Sequence, residues 1–448
     1  MNIKSICASS IAATFLFSAN ALWAGPMEDA LEKIAKCNEM QCNQLRLDNI
    51  KGLTAIPNEA LSVRRLDSLD LSRLELTDIS LLTQMPWLNA VNLSSSSVTD
   101  IAPLGGLKAL RKLNLSRSKI TDISALAGAT GLQNLNLSGS MITDLSPLAN
   151  LKGLKKLDIS GTKVSDISIL SNLAGLEMLK LNDSSVVDIS ALAALGALEE
   201  LFMDNTSISD FSALANLGAL ETLSMKKTQI ADLAPVSQLY ALQSLDISDT
   251  QVSDFAPLKN LRMLRALMAY NSQASDLSAL ADMKNLQNLY ARGAAFSDIS
   301  PLAGLVDLHN LDFDKTAVSD LSALAGKPEL TSIKLAQTKV TDISPLAGVV
   351  KLRTLILKET GVSDISALKG LPEVNSVDVS GTAVTDISVF AGMEKFSTLD
   401  ISNTNVADLS ALAGLPKFRY FTVKDAPNLD KAQLTALEDA GVKVRGLK

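Results

Sequence analysis

Leu157-Asp158-Ile159-Ser160-Gly161-Thr162-Lys163-Val164-Ser165-Asp166-Ile167-Ser168, followed by Leu170, Leu173 and Leu176, is one complete unit of this chain. Stepping forward by 22 residues restarts the pattern at Leu179, Leu201, Leu223 and Leu245; stepping back restarts it at Leu135, Leu113, Val91 and Leu69. No insertion interrupts the register. The leading column runs from Leu69 to Phe421, which is 17 units, and an acidic column from Asp78 to Asp408 holds aspartate at all sixteen of its positions. A unit this short cannot bury an apolar side alone, so regular self-similarity at this period predicts a solenoid in which each unit stacks on its neighbours.

Within a unit, Leu157-Asp158-Ile159 alternates as a short strand with one face inward and one outward. Val164, Ile167, Leu170, Leu173 and Leu176 stand for five more apolar columns that point inward from the return path. Strands about 4.8 Å apart would make a ladder roughly 80 Å long.

The spacing Leu-x-x-Leu-x-Leu-x-x-(Thr/Ser)-x-Val-x-Asp-Ile-Ser-x-Leu-x-x-Leu, carried from Leu66 to about Val423, resembles the 22-residue leucine-rich repeats of the bacterial internalin type. The resemblance implies a horseshoe-type leucine-rich-repeat solenoid of short parallel strands with tight 3-10-like turns on the return side. That family has Asn where this chain has Thr162, Thr206, Thr250 and their equivalents. A hydroxyl can bond turn backbone groups in place of the amide, so the fold is expected to survive with a different ladder.

The ends divide the chain further. Residues 1–24 read as a secretory signal, with Lys4 ahead of the apolar run Ile11 to Phe17 and cleavage after Ala21 or Ala24; the run is short for a bilayer span. Residues 25–65 read as an N-terminal cap, with a helix over Glu28–Lys36 that carries Leu31 and Ile34 on one side, and an irregular first strand at Leu45-Arg46-Leu47. Cys37 and Cys42 remain after cleavage. In an exported chain so close a pair is expected to form a disulfide, because a closed zinc site wants about four ligands and the single histidine is His309. The solenoid occupies 66–424. In its last units Phe390, Phe396, Phe418 and Phe421 replace leucine and should fill the final core layers. Residues 425–448 read as a C-terminal cap: a helix over Leu429–Ala440, a stop at Gly441 and a strand at Val442-Lys443-Val444. No wall-sorting signal or membrane tail is legible there, unlike the anchored internalins.

With 41 Lys and Arg against 48 Asp and Glu, no basic excess points to nucleic acid, and no phosphate-binding glycine loop is present. The aspartate column invites a calcium reading, but in Asp-Ile-Ser each carboxylate is placed to cap the following turn. No metal or cofactor is expected, and His309 reads as a solvated surface residue.

Function should lie in the outward strand columns. One runs from Asp70 to Asp400 and the next from Ser72 to Ser402, and both begin small and polar. The middle units break that monotony with Met268 and Tyr290 in one column and Tyr270 and Arg292 in the other, and Phe202 lies three strands away. Aromatic, Met and Arg side chains exposed together have the composition of an interface core. The reading is therefore an exported repeat protein that binds a protein or glycan partner through this face, and the internalin resemblance implies host recognition or adhesion. An envelope scaffold in the periplasm is the alternative. A carbohydrate-active enzyme using Asp378 and Asp400, one unit apart, is a weaker one.

Overall fold

The computed structural model describes residues 25–446, so the expected signal segment lies outside the described residues. Nineteen parallel strands, β1 (Gln44–Arg46) to β19 (Lys443–Arg445), form one sheet in chain order, with each strand paired to the next. The step is 22 residues throughout the solenoid, as in Leu135↔Leu157↔Leu179. The two cap strands join with steps of 24 and 23, Leu45↔Leu69 and Phe421↔Val444. The first strand, expected to be irregular, is in full register.

Each return path but the last carries a 3-10 helix of three to five residues, such as Ser168–Asn172. All sixteen column aspartates accept the backbone N–H of the residue two further on, at 2.7–2.8 Å. That bond starts each 3-10 turn, so the carboxylates are committed to the backbone. In twelve units the Thr or Ser hydroxyl donates to the carbonyl three residues earlier, as from Thr162 to Ile159 at 2.7 Å. This is the substitute for the asparagine ladder. It closes each turn within its own unit.

A further column explains how the chain leaves the sheet. The residue after the second outward position has φ of 54–74° in sixteen units, from Arg73 through Gly161, Asn271 and Gly293 to Asn403, and Asp425 in the seventeenth has 52°. This left-handed turn favours Gly, Asn and Asp, and those residue types fill most of the column.

The core is continuous from Ala30 to Val442. At the C-terminal end Phe390, Phe396 and Phe418 stack with ring centroids 4.2 and 5.8 Å apart, and Phe421 packs on Phe418 at 6.1 Å. Helix α1 spans Pro26–Glu39, longer than expected at both ends. Proline at its first position needs no hydrogen-bond donor, and Glu28 accepts the Gly25 N–H at 3.3 Å. It buries Ala30, Ile34 and Cys37, not Leu31, which is half-buried at the margin. The Cys37–Cys42 disulfide, with Cα atoms 5.0 Å apart, ties its last turn to β1. Helix α2 (Lys431–Asp439) is capped by Asp430, which accepts the Ala432 N–H at 3.0 Å.

One apolar column is broken. Lys327 stands where other units place Leu173, Leu305 or Val349, and it is 3% exposed. Its ammonium donates to the carbonyls of Leu302, Ala303 and Leu305 at 2.9, 2.6 and 2.8 Å, with no carboxylate partner among the described residues.

Candidate functional site

The outward strand face is less open than its sequence implies. Most of its side chains are half-buried, and Ser248 and Asp312 are buried. The cause is local bonding. Asp or Asn in the first column accepts the N–H of the residue two further on, usually serine, at 2.8–3.3 Å in Asp70, Asn92, Asn114, Asn136, Asp158, Asp246, Asp312, Asp378 and Asp400. The recurring (Asp/Asn)-x-Ser is therefore turn chemistry. Asp378 and Asp400 face each other across adjacent strands, and both are engaged in this way. Burial pushes the Asp378 carboxyl up, the Ser380 bonds oppose that, and Asp400 adds to it.

Residues that depart from this pattern are free to face a ligand. Met268 pairs with Tyr290 on adjacent strands β11 (Ala266–Met268) and β12 (Asn288–Tyr290). The rings of Tyr270 and Tyr290 stack at 6.2 Å and 26°, half-buried, beside the exposed Arg292. Burial pushes the Tyr270 hydroxyl up to about 12; Asp312, Tyr290 and Asp246 reinforce the shift and Arg292 opposes it. The expected patch of four is thus assembled. Phe202 is not part of it: it lies three strands off, with the Lys180 ammonium 4.9 Å from its ring centroid.

Sequence reasoning missed the acidic rim. Asp246 and Asp312 flank Met268 and Tyr290 in their own column, and Asp314 stands next to Arg292 in the other. Burial raises the Asp314 carboxyl against the opposing bond from the Ala336 N–H. Lys334 pairs with Asp312 at 3.5 Å. All three stand in the two outward columns, where acidic residues are so common that they did not mark a site.

His309 is half-buried, not freely solvated. Its Nδ1 lies 2.7 Å from the Asp307 carbonyl and its Nε2 3.9 Å from Glu329. Glu329 also belongs to a ladder of ion pairs along the sheet edge, where Lys351 meets it at 2.6 Å and Lys395 meets Glu373. Among the described residues no group of three or more His, Cys, Asp or Glu is arranged to hold a metal, and no helix is long and apolar enough to cross a membrane.

The comparisons with known proteins agree with this geometry. A family profile described as Leucine Rich repeats (2 copies) matches residues 130–172. The solved internalin InlF of Listeria monocytogenes is similar to this chain at 27% identity, covering 80% of this chain and 99% of its own, with a TM-score of 0.56. A leucine-rich-repeat protein of Leptospira interrogans shares the fold at 18% identity, 92% and 98% coverage and a TM-score of 0.60. The ectodomain of the Arabidopsis thaliana receptor kinase GASSHO1/SCHENGEN3 does so at 16% identity, 88% and 60% coverage and a TM-score of 0.54. Among curated proteins none matches the sequence. The repeats, the single sheet and these neighbours define a leucine-rich-repeat solenoid. Within that class, the chain resembles the bacterial leucine-rich-repeat proteins of the internalin type.

Proposed function

We propose that this is an exported protein whose central patch, Met268, Tyr270, Tyr290 and Arg292, binds a protein partner in host recognition or adhesion. The observation that carries the reading is the stacked tyrosine pair, beside Met268 and the exposed Arg292, on a face otherwise committed to short polar turns. Tyrosine and arginine are enriched among the residues that dominate interface energies, because both combine apolar area with polar ends and tyrosine loses little freedom on docking. The receptor ectodomain of similar fold is in complex with CASPARIAN STRIP INTEGRITY FACTOR 2, so a solenoid of this kind can carry a bound partner.

The test is a pull-down with residues 25–448 and with the Tyr290→Ala/Arg292→Ala variant, from host-surface and bacterial-envelope extracts in parallel. A partner retained by the first and lost by the second supports the patch. A partner found only in the envelope extract would replace host recognition with an envelope scaffold. Equal capture by both forms would overturn the site.

A further inference from the structure

A second site lies at the other end of the sheet. A groove of about 360 Å³ runs across the strand face from β3 (Ala90–Asn92) to β7 (Met178–Lys180), lined among others by Asn92, Lys112, Asn114, Asn136 and Lys156. Its floor is polarised by the turn chemistry. The Oδ1 atoms of Asn92, Asn114 and Asn136 accept the N–H of Ser94, Ser116 and Ser138 at 3.1, 3.0 and 2.9 Å. A backbone N–H pairs only with oxygen, which settles the amide orientation and leaves each NH2 to face the groove. Asn92 spends its NH2 on Asp70 at 3.0 Å. Asn114 and Asn136 have no acceptor for theirs among the described residues.

The rim has the same sign. Arg111, Lys112, Arg117 and Lys156 are exposed, and none has a carboxylate within 4.0 Å among the described residues, whereas Lys155 is paired with Glu177 at 2.6 Å. The one acidic group in the lining is Asp158, and its Oδ1 is taken by the Ser160 N–H at 3.0 Å. The groove thus offers unfilled donors and a net positive lining, Lys112, Lys156 and Lys180 against Asp158, with the amides repeated at the strand spacing of about 4.8 Å.

We propose that this groove binds a linear acidic glycan whose sulfate or carboxylate groups lie along the row of amides between the flanking cations. Charge-assisted bonds to such oxyanions are the strong class of hydrogen bond. No aromatic side chain lines the groove, so it lacks the platform on which bases of a single-stranded nucleic acid stack. It also lacks the large apolar anchor of a protein interface. The groove ends four strands short of the aromatic patch, at β7 against β11, and stands independently of it.

The probe is a size-defined heparin oligosaccharide, titrated calorimetrically against residues 25–448, with poly-deoxythymidine of matched charge in a second arm. The decisive variant is Asn114→Asp/Asn136→Asp. Aspartate fills this column natively at Asp158 and Asp246 and keeps the turn bond, so folding is preserved while each donor becomes an anion. Thr130→Asp/Asn150→Asp adds the same charge to neighbouring turns outside the groove. The expected result is heparin binding that weakens at least about tenfold in the first variant, changes much less in the second and is unchanged in Tyr290→Ala. No heparin binding by the unaltered chain, equal weakening by both aspartate pairs, or poly-deoxythymidine binding of the same strength with the same sensitivity would overturn the proposal.

Discussion

Replacing Lys327 by Ala and by Met should have unequal consequences for the broken core column. The ammonium serves three carbonyls. The Leu302 carbonyl also accepts the Leu305 N–H at 3.0 Å, so Ala303 and Leu305 are the two left without that support. Two buried carbonyls deprived of a donor cost about 1–3 kcal/mol each. Lys327→Ala also leaves a space where four methylenes packed, which adds to the loss. Together these place its cost at about 3 kcal/mol or more.

Lys327→Met loses the same bonds but fills the space, and it removes a buried cation whose desolvation costs several kcal/mol. Its net change should be within about 1.5 kcal/mol. The backbone already accepts an apolar residue here, since Leu371 and Leu415 follow glycines of positive φ (Gly370, Gly414) just as Lys327 follows Gly326. The assay is urea unfolding combined with native-state hydrogen exchange at units 305–349, because stability in a repeat array is local. If Met costs as much as Ala, the buried charge is itself stabilising and the reasoning fails. Burial, with Lys284 nearby, holds the Lys327 ammonium below the usual lysine range. A base depressed in the folded state binds fewer protons there than when unfolded, so wild-type stability should gain on the Met variant as pH rises toward the ordinary lysine value of about 10.4.

Other expectations follow from single observations. The Thr250 hydroxyl donates to the Ile247 carbonyl at 2.6 Å, whereas the Ser272 hydroxyl is buried without a partner; Thr250→Val should cost about 1 kcal/mol in thermal denaturation and Ser272→Ala close to nothing. Backbone N–H and hydroxyl bonds from Ser168, Ser190 and Ser212 hold the Asp166, Asp188 and Asp210 carboxyls below their ordinary value. That stability is complete above the unfolded value of about 4 and is lost as pH falls through the folded values, so the triple Asp→Asn variant should lose less stability than wild type between pH 5 and 2, followed by circular dichroism. Phe418 bridges Phe396 and Phe421, and Phe418→Ala should destabilise the C-terminal units by about 3–5 kcal/mol, read by their exchange rates.

The solenoid was legible because its determinants are local and repeated. Leucines at fixed columns, aspartate at every turn start and four aromatics at one end each leave a periodic trace. The left-handed column was equally visible in Gly161, Asn271 and Gly293, yet it reads as loop polarity unless its φ is known. Lys327 was hidden for the opposite reason: a charged residue in an apolar column looks like a lapse until three carbonyls are found around it. The central patch could be assembled because strands in register turn a step of 22 into adjacency. Its acidic rim, the pairing of Phe202 with Lys180, and the half-burial of the face depend on side-chain directions that the repeat does not encode. The amide row from Asn92 to Asn136 was read as small and polar; that its NH2 groups face outward follows only from the turn bonds to serine.

The most direct measurement on the central patch is photo-crosslinking from a benzophenone side chain placed at Met268, with matched placements at Ser138 and Ser402, in the extract that yields a partner. Binding at the patch predicts one protein adduct, formed at 268 alone and abolished by excess unlabelled wild-type chain but not by excess Tyr290→Ala/Arg292→Ala. Equal adducts at all three positions, or equal competition by the variant, would contradict it.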